Sequence, residues 1–250
     1  MKALPSFFDL HSHLLFGVDD GAKTKEEMFA MLDMAYADGT RALCLTPHFS
    51  PYLFGDTYQS SQEAFGVLKD YAEKAYPDLE LFLGHELGYF DACTEALRQG
   101  RCRTLNGSRY LLVDFPEDVS FFEIRNAVNR LRGEGYVPVL AHTERYPCLV
   151  GEMDWVKAFC RDGGLVQVNA SSATGGWGRC AKGQWKKLVK GGMVHIVSSD
   201  GHNLTSRQPK ISVCLPLLTR WCKPDTVRAL TWDNAWRVVH DEPVGEDMAE

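Results

Sequence analysis

Six short segments of this sequence carry residues that can bind metal ions or handle phosphate. They are Asp9-Leu10-His11-Ser12-His13, Thr46-Pro47-His48, Gly84-His85-Glu86, Val113-Asp114-Phe115-Pro116-Glu117, Ala141-His142-Thr143-Glu144-Arg145 and Ser199-Asp200-Gly201-His202-Asn203. His11 and His13 are two residues apart, so on extended chain both imidazoles project to the same side. Neutral imidazole together with carboxylate suits manganese, iron or zinc, and a carboxylate can bridge two ions. The donors outnumber what one zinc needs, which implies two or three ions. Such clusters activate a water and clamp a phosphoryl group for in-line attack. His195 and His240 lie inside regular segments and read as structural. His85 is ambiguous, because its neighbour Glu86 can be the ligand while His85 points away.

The segments that must position these residues alternate in type. Strands are expected at Phe7–Asp9, Ala42–Leu45, Leu79–Leu83, Tyr110–Asp114, Val137–Ala141, Leu165–Asn169 and Val194–Ser198. Helices are expected at Thr24–Asp38, Tyr58–Ala75, Phe121–Arg132, Asp154–Cys160, Ala181–Lys190 and Asp225–Val239. Thr24 is placed to cap the first helix, with Glu27 three residues on, and Gly39 to end it. Strand–helix alternation argues an α/β fold with a parallel sheet, and about seven units suggest a closed or nearly closed barrel. A doubly wound open sheet is the alternative. Six of the eight histidines fall where a strand gives way to its loop, the face on which barrel enzymes carry their chemistry.

Composition is consistent with this reading. The 250 residues, 45% hydrophobic and 24% charged, are expected to form one domain. A net charge of -6 gives no reason to expect nucleic-acid binding. The N-terminus shows neither a signal peptide nor a spanning segment, so membrane insertion is not expected and the cytoplasm is the expected location. The eight cysteines form no C-x-x-C pair and read as reduced thiols.

With these motifs in view, the sequence resembles the PHP (polymerase and histidinol phosphatase) superfamily. Within it, the chain is similar to the bacterial manganese-dependent protein-tyrosine phosphatases of capsular and exopolysaccharide gene clusters, the CpsB/YwqE type. The telling segment is Asp9-Leu10-His11-Ser12-His13 followed by Gly17-Val18-Asp19-Asp20-Gly21. Thr46-Pro47-His48-Phe49, Gly84-His85-Glu86, His142-Thr143-Glu144-Arg145-Tyr146, Gln167-Val168-Asn169-Ala170, Ser199-Asp200-Gly201-His202-Asn203 and Arg207-Gln208-Pro209 follow in the family's order. The resemblance implies a distorted (β/α)7 barrel and a trinuclear, most simply manganese, site. It would place His11, His13, Asp114 and Asp200 on one ion, and His48 and His142 on a second that shares Asp114 as a bridge. Asp20, Glu86 and His202 would serve a third, and Arg145 and Arg207 would grip the phosphate. The partner implied is a phosphotyrosine protein, in the first place a bacterial tyrosine autokinase; self-association into a homo-oligomer is left open.

The chain departs from the family pattern twice. Asp114 stands where the family usually has the longer Glu, with Glu117 as a fallback donor, and Thr143 replaces the proline of H-P-E-R. Phe49, Tyr52, Phe54 and Tyr146 are candidates to stack on an aryl substrate, or simply to pack. Competing functions are a small-molecule phosphatase, such as one for histidinol phosphate, and a non-catalytic PHP module. A bare C-x5-R, Cys222 to Arg228, also matches the spacing of cysteine-based phosphatases. It lacks the internal glycine that lets backbone amides wrap a phosphate, and the stretch before it reads as helix.

Overall fold

The computed structural model describes residues 6–90 and 92–245. Its strands are β1 (Phe7–Asp9), β2 (Thr40–Leu45), β3 (His48–Phe49), β4 (Glu80–Leu83), β5 (Glu86–Gly88), β6 (Tyr110–Asp114), β7 (Val137–Leu140), β8 (Leu165–Asn169) and β9 (Ile196–Ser198). All their pairings are parallel. They form two sheets, ordered β1-β2-β4 and β3-β5-β6-β7-β8-β9. The division is physical. Pro47 has no N–H to give a ladder, so the second strand position breaks at Thr46-Pro47 into β2 and β3. Its neighbour breaks in step at Gly84-His85, where Gly84 N donates to Leu45 O (2.8 Å) and Glu86 N to Pro47 O (3.1 Å). Nine segments thus make seven barrel positions, which is the (β/α)7 expectation with two interrupted strands.

The ring closes between its ends. Ser12 and Gly201 form a parallel bridge, with His13 N donating to Gly201 O (2.9 Å) and Asp200 N to His11 O (3.0 Å). Just below, the fully buried Asp9 carboxylate accepts from Ser199 N (2.9 Å) and Ser199 Oγ (2.5 Å). The distortion lies opposite. β4 and β6 belong to different sheets, and a 3-10 turn at Leu105–Gly107 contacts both.

Period-two alternation sorts the strand residues into two environments. Phe8, Ala42, Cys44, Tyr110, Leu112, Val139, Leu165 and Ile196 form one buried cluster with Ala235, Val238 and Val239 of the last helical segment. They fill the barrel and close its floor. Their sequence neighbours Leu43 and Leu45 pack with Met28, Met31, Leu32 and Leu68. Leu111, Val113, Leu140, Val166, Val168 and Val197 pack with the remaining helices. Each inward row starts apolar and ends polar: Leu112 then Asp114, Leu165 then Gln167 and Asn169, Ile196 then Ser198 and Asp200.

The helices are α1 (Lys25–Asp38), α2 (Pro51–Phe54), α3 (Tyr58–Ala75), α4 (Cys93–Arg98), α5 (Phe121–Gly133), α6 (Met153–Arg161), α7 (Gly178–Lys190), α8 (Leu215–Trp221), α9 (Pro224–Arg228) and α10 (Asn234–Val239). Thr24 caps α1 by accepting from Glu27 N (3.2 Å), and Gly39 ends it at φ 112°. Glu27 reaches back one residue further than a capping box requires, to Lys23 N (2.8 Å). The helix expected at Asp225–Val239 runs through α9 and α10, joined by a single π turn at Ala229–Asp233. The short helices α2 and α4 were not anticipated as elements; each is too brief for apolar periodicity to mark it, while α8 is the helical stretch read before Cys222.

His195 has the structural role read from its position. Its Nδ1 accepts from Val166 N (3.2 Å), and burial pushes its imidazole down to about 4. The neutral form is therefore favoured by folding. That contribution is complete above the unfolded value near 6.5 and is lost as pH falls through about 4. Since the ring is only partly buried, its share is on the order of 2 kcal/mol. His195→Asn keeps an acceptor near the Nδ1 position without the titration. Urea midpoints between pH 6.5 and 4 should fall less steeply in this variant than in the wild type; parallel curves would refute the assignment.

Candidate metal centre

At the C-terminal end of the strands, each inward row delivers a polar side chain to one bowl. His11 and His13 follow β1, His48 opens β3, Glu86 opens β5, Asp114 ends β6, His142 follows β7, and Asp200 and His202 follow β9. Asp20 comes from the loop after β1. That loop folds back on the His13 backbone so tightly that a Cβ on Gly21 would sit 1.9 Å from His13 O. Only glycine permits this approach, which explains D-D-G at this point: the turn holds two carboxylates over the histidines. His142 and Asp200 have left-handed backbone, φ 30° and 53°. A non-glycine residue pays roughly 1–2 kcal/mol for that conformation; at His142 it breaks the strand alternation and turns the side chain inward, whereas Asp200 already continues the inward row of Ile196 and Ser198.

All nine residues expected to bind metal are therefore in one cluster. Glu86 stands at its centre. Its Oε1 lies 3.3 Å from His11 Nε2 and 3.1 Å from His142 Nε2. Its Oε2 lies 3.2 Å from His13 Nε2 and 3.0 Å from His48 Nδ1. Asp200 Oδ1 is 3.5 Å from His11 Nε2, 3.6 Å from His13 Nε2 and 3.4 Å from His202 Nδ1. Asp20 Oδ1 is 3.4 Å from His48 Nε2 and 3.3 Å from His202 Nε2. Three donor sets each fall within 4.8 Å: His13, Asp20, His48 and His202; His11, His13 and Asp200; and His48, Glu86 and Asp114. The first two sets share His13, and His48 belongs to the first and third, so the sets form one continuous centre.

This geometry corrects the expected division of labour. The central place that the resemblance gave to Asp114 is held by Glu86, whose two oxygens meet nitrogens of four histidines. Asp114 lies 3.4 Å from His142 and joins the donor set of His48 and Glu86 from its edge; its side chain is one methylene short and is tied by Tyr146 Oη, which donates to Asp114 Oδ1 (3.0 Å). Glu86 consequently leaves the set expected with Asp20 and His202, whose further partners are His13 and His48. Glu117, the fallback, is an exposed loop residue 3.5 Å from Arg145 Nη2. His85 points away from the bowl, accepting from Arg103 N (2.9 Å). His240 is exposed and stacks on Trp236.

Residues behind the donors set the protonation state of the histidines. His11 Nδ1 is 3.1 Å from Gln167 Oε1, which also accepts from His142 N (2.7 Å) and so is identified as the oxygen. His13 Nδ1 is 2.7 Å from Asp19 Oδ2, an acceptor. His202 Nδ1 is 2.9 Å from the Asp200 carbonyl. Each of these Nδ1 atoms must donate, which leaves Nε2 as a bare lone pair facing inward. His11 Nε2 and His13 Nε2 face each other at 3.1 Å, and His202 Nε2 is buried with no hydrogen-bond partner. Converging lone pairs among carboxylates are repulsive unless a cation or protons lie between them. The residues fit a metal cluster, and the fit rests on this donor set.

The ionisation pattern without metal has the same origin. Burial pulls His11 down, but the Glu86 and Asp200 carboxylates override it and hold the imidazole at about 9. Burial opposes the charge on Glu86, yet His11 and His48 press its carboxyl well below the ordinary range. Burial together with His13 pushes His202 down to about 4. Burial lifts Asp114 against the pull of His142. Protons thus occupy the cluster where ions would otherwise compensate the charge, and metal binding must displace them.

The supporting residues Asp19, Gln167 and Asn169 were not singled out as site residues from sequence. Asp19 also accepts from His48 N (2.9 Å) and Gly21 N (2.9 Å). Asn169 Nδ2 donates to Asp200 Oδ2 (2.7 Å). The signal was there, since Gln167 and Asn169 are polar at inward positions of a buried strand. Arg145 and Arg207 flank the bowl, with Arg207 Nη2 2.9 Å from Asp200 Oδ1 and Arg145 Nη1 3.6 Å from Asp200 Oδ2. Thr143 fills the place of the missing proline by donating its hydroxyl to Leu140 O (3.0 Å). Above the donors is a cavity of about 410 Å³ lined by His48, Tyr52, Phe54, Phe90, Phe115, Arg145 and Arg207 among others. Phe49 and Tyr146 are fully buried and serve packing.

The sequence profile described as capsular polysaccharide synthesis, CpsB/CapC, matches residues 7–240. The chain belongs to the CpsB/CapC family. Relatives in the family include the tyrosine-protein phosphatase CpsB of Streptococcus agalactiae, 29% identical over 236 residues that cover 92% of this chain and 97% of the relative. The tyrosine-protein phosphatase YwqE of Bacillus subtilis is 27% identical over 199 residues, 80% of this chain and 78% of that one. Among solved structures, one described as belonging to YwqE from Bacillus subtilis and CpsB from Streptococcus pneumoniae, unique metal-dependent tyrosine phosphatases, superposes with a TM-score of 0.85. It is 24% identical and covers 95% of this chain and 96% of its own. Family membership thus rests on the profile, and the superposition adds the shared fold. A more distant likeness is dihydropyrimidinase from Brevibacillus agri, TM-score 0.56, 11% identical, covering 97% of this chain and 73% of its own.

The rival C-x5-R has no place in this site. Cys222 ends α8 and Arg228 ends α9, and neither lines the cavity above the donors. Burial raises the Cys222 thiol, the opposite of what a nucleophile needs. Cys222→Ser should therefore leave kcat/KM on an aryl phosphate within about twofold of wild type; abolished turnover would restore the cysteine reading.

Proposed function

We propose that this chain is a metal-dependent phosphomonoesterase that hydrolyses phosphotyrosine in proteins. The observation that carries the reading is the set of imidazole lone pairs converging on Glu86 and Asp200, with two guanidinium groups at its rim. Divalent ions, manganese in the first place with iron or zinc as alternatives, supply Lewis acidity and a nucleophilic water when bound. His11, His13 and Asp200 would hold one; His48, Glu86, Asp114 and His142 a second; Asp20 and His202 with His13 or His48 a third. Glu86, close to nitrogens of the first group and the second, would serve both. Arg145 and Arg207 take the phosphoryl oxygens and stabilise charge that develops on them.

Depth argues for the substrate class. His11, His13, Glu86, Asp200 and His202 are almost completely buried, so a phosphate must be carried down to them. Phosphotyrosine is long and rigid, and Tyr52, Phe54, Phe90 and Phe115 line the way in, offering faces for an aryl ring. A phenolate, with a conjugate acid near pKa of about 10, leaves without strong protonation. The names of the streptococcal and Bacillus relatives support this assignment, and the family description supports a phosphoprotein of capsular polysaccharide synthesis as its target; a bacterial tyrosine kinase is the candidate the proposal names. Among the described residues no helix is long and apolar enough to cross a membrane; a cytoplasmic location is part of the proposal.

The test begins with removal of metal. Chelation should abolish hydrolysis of a phosphotyrosine peptide and added manganese should restore it, with phosphoserine peptide and histidinol phosphate turned over at least tenfold more slowly. Full activity in protein shown metal-free by elemental analysis would end the proposal. A second check separates the carboxylates. Glu86→Gln should lower metal content more than Asp114→Asn, because a bridge serves two ions; the reverse order would return the bridge to Asp114. Finally, Arg145→Ala and Arg207→Ala should fold and keep metal yet lose roughly a hundredfold in kcat/KM. Wild-type kinetics in both would remove the phosphate-binding assignment.

A further inference from the structure

Both arginines lie against one residue that neither the motifs nor the family pattern above included. The guanidinium carbon of Arg145 is 3.8 Å from the centre of the Trp177 ring, and that of Arg207 is 5.1 Å from it. Trp177 immediately precedes α7, in the run Gly175-Gly176-Trp177-Gly178. The run is tightly folded. Gly176 N donates to Ser171 O (3.0 Å) and Gly178 N to Gly175 O (3.0 Å), and Gly175 and Gly178 are left-handed at φ 101° and 83°. The ring is therefore held on a short, hydrogen-bonded turn.

We infer that Trp177 is a positioning residue, an aromatic platform that aims Arg145 and Arg207 together at the phosphoryl group; the inference rests on the phosphatase reading above. The reason lies in what else holds these arginines. Arg207 leans on Asp200 Oδ1 (2.9 Å) and Asp20 Oδ2 (3.5 Å), and Arg145 on Asp200 Oδ2 (3.6 Å) and the exposed Glu117 (3.5 Å). Asp200 and Asp20 are proposed metal ligands, so their oxygens are committed once ions bind. The indole face is the contact common to both guanidinium groups that does not depend on those oxygens. It also attracts cations without consuming N–H donors or cancelling charge. A carboxylate in its place would compete with phosphate for both. Two like charges must be kept close before the substrate anion arrives, and a shared electron-rich face does this with no net charge of its own.

The experiment uses manganese-loaded full-length protein, inorganic phosphate as the calorimetric probe and p-nitrophenyl phosphate as substrate. Trp177→Leu keeps apolar bulk and removes the π face; Trp177→Phe keeps a weaker one. Phosphate affinity and kcat/KM should fall about five- to thirtyfold in Trp177→Leu and by less in Trp177→Phe, with metal content and Tm unchanged. In an Arg145→Ala/Arg207→Ala background, Trp177→Leu should cost nothing further, because its effect runs through the arginines. Wild-type phosphate affinity in Trp177→Leu, an equal loss without the arginines, or a loss that tracks metal content or Tm would each overturn the inference. Failure of the phosphatase reading is seen separately, as a wild-type protein that is inactive on phosphate esters or indifferent to chelation. The phosphate affinities still decide the role of Trp177 in that event.

Discussion

The structure turns on one buried carboxylate. Glu86 is fully buried and within 3.3 Å of nitrogen atoms from four histidines on three different strands' ends. An isolated carboxylate in such a place would cost several kcal/mol and would take up a proton. Here its charge is retained only because imidazoles surround it, and the imidazoles are tolerable only because it is there. Remove either side and the other becomes an uncompensated buried group. The barrel is the device that makes the arrangement affordable. Parallel strands end together, so residues distant in sequence meet without any long loop having to be ordered.

That demand explains the irregularities of the fold. A regular strand alternates sides, which suits the packed floor but not a bowl that needs donors from every direction. The breaks at Thr46-Pro47 and Gly84-His85 reset the register, so His48 and Glu86 begin new short strands at the height of the bowl. The left-handed His142 does the same after β7. Gly21 lets the acidic loop lie on His13. Two of the four described non-glycine residues with positive φ, His142 and Asp200, lie where donors converge, and such strain is held by the packing beneath it.

Much of this was readable before any coordinates. H-x-H, D-D-G and the histidines at strand ends located the bowl, because the residue types that can bind metal are few and their positions relative to β/α boundaries were consistent. Alternation suggested about seven units and a closed or nearly closed barrel, with an open sheet as the alternative, and the family resemblance pointed to the (β/α)7 form. What could not be read was which donors touch. Asp114 and Glu86 both end or open strands, and sequence does not say which of two carboxylates lies at the axis; that depends on the split of β4 from β5, caused partly by Pro47 one strand away. Trp177 was invisible for a related reason. It lies in a glycine-rich turn with no periodic pattern, and its link to Arg145 and Arg207 spans 32 and 30 residues (177−145 and 207−177).

The shorter side chain at position 114 then ceases to be a defect. Were Asp114 the bridge, losing a methylene would pull two ions together or leave one underligated. With Glu86 among the four histidines, Asp114 would need only to complete the donor set beside His142, at the edge of the cavity. Burial lifts the Asp114 carboxyl above the usual range, and Tyr146, itself buried, donates to Oδ1 (3.0 Å) while accepting from Phe115 N (3.1 Å). Tyr146 thus takes up one lone pair and fixes the orientation of a carboxylate too short to find its own place. A longer glutamate would reach further into the bowl toward the Glu86 oxygens, where two like charges repel. In this chain the reach has been given to Glu86 and the orientation to Tyr146, so that Asp114 presents its remaining oxygen to the cavity where the substrate phosphate would arrive.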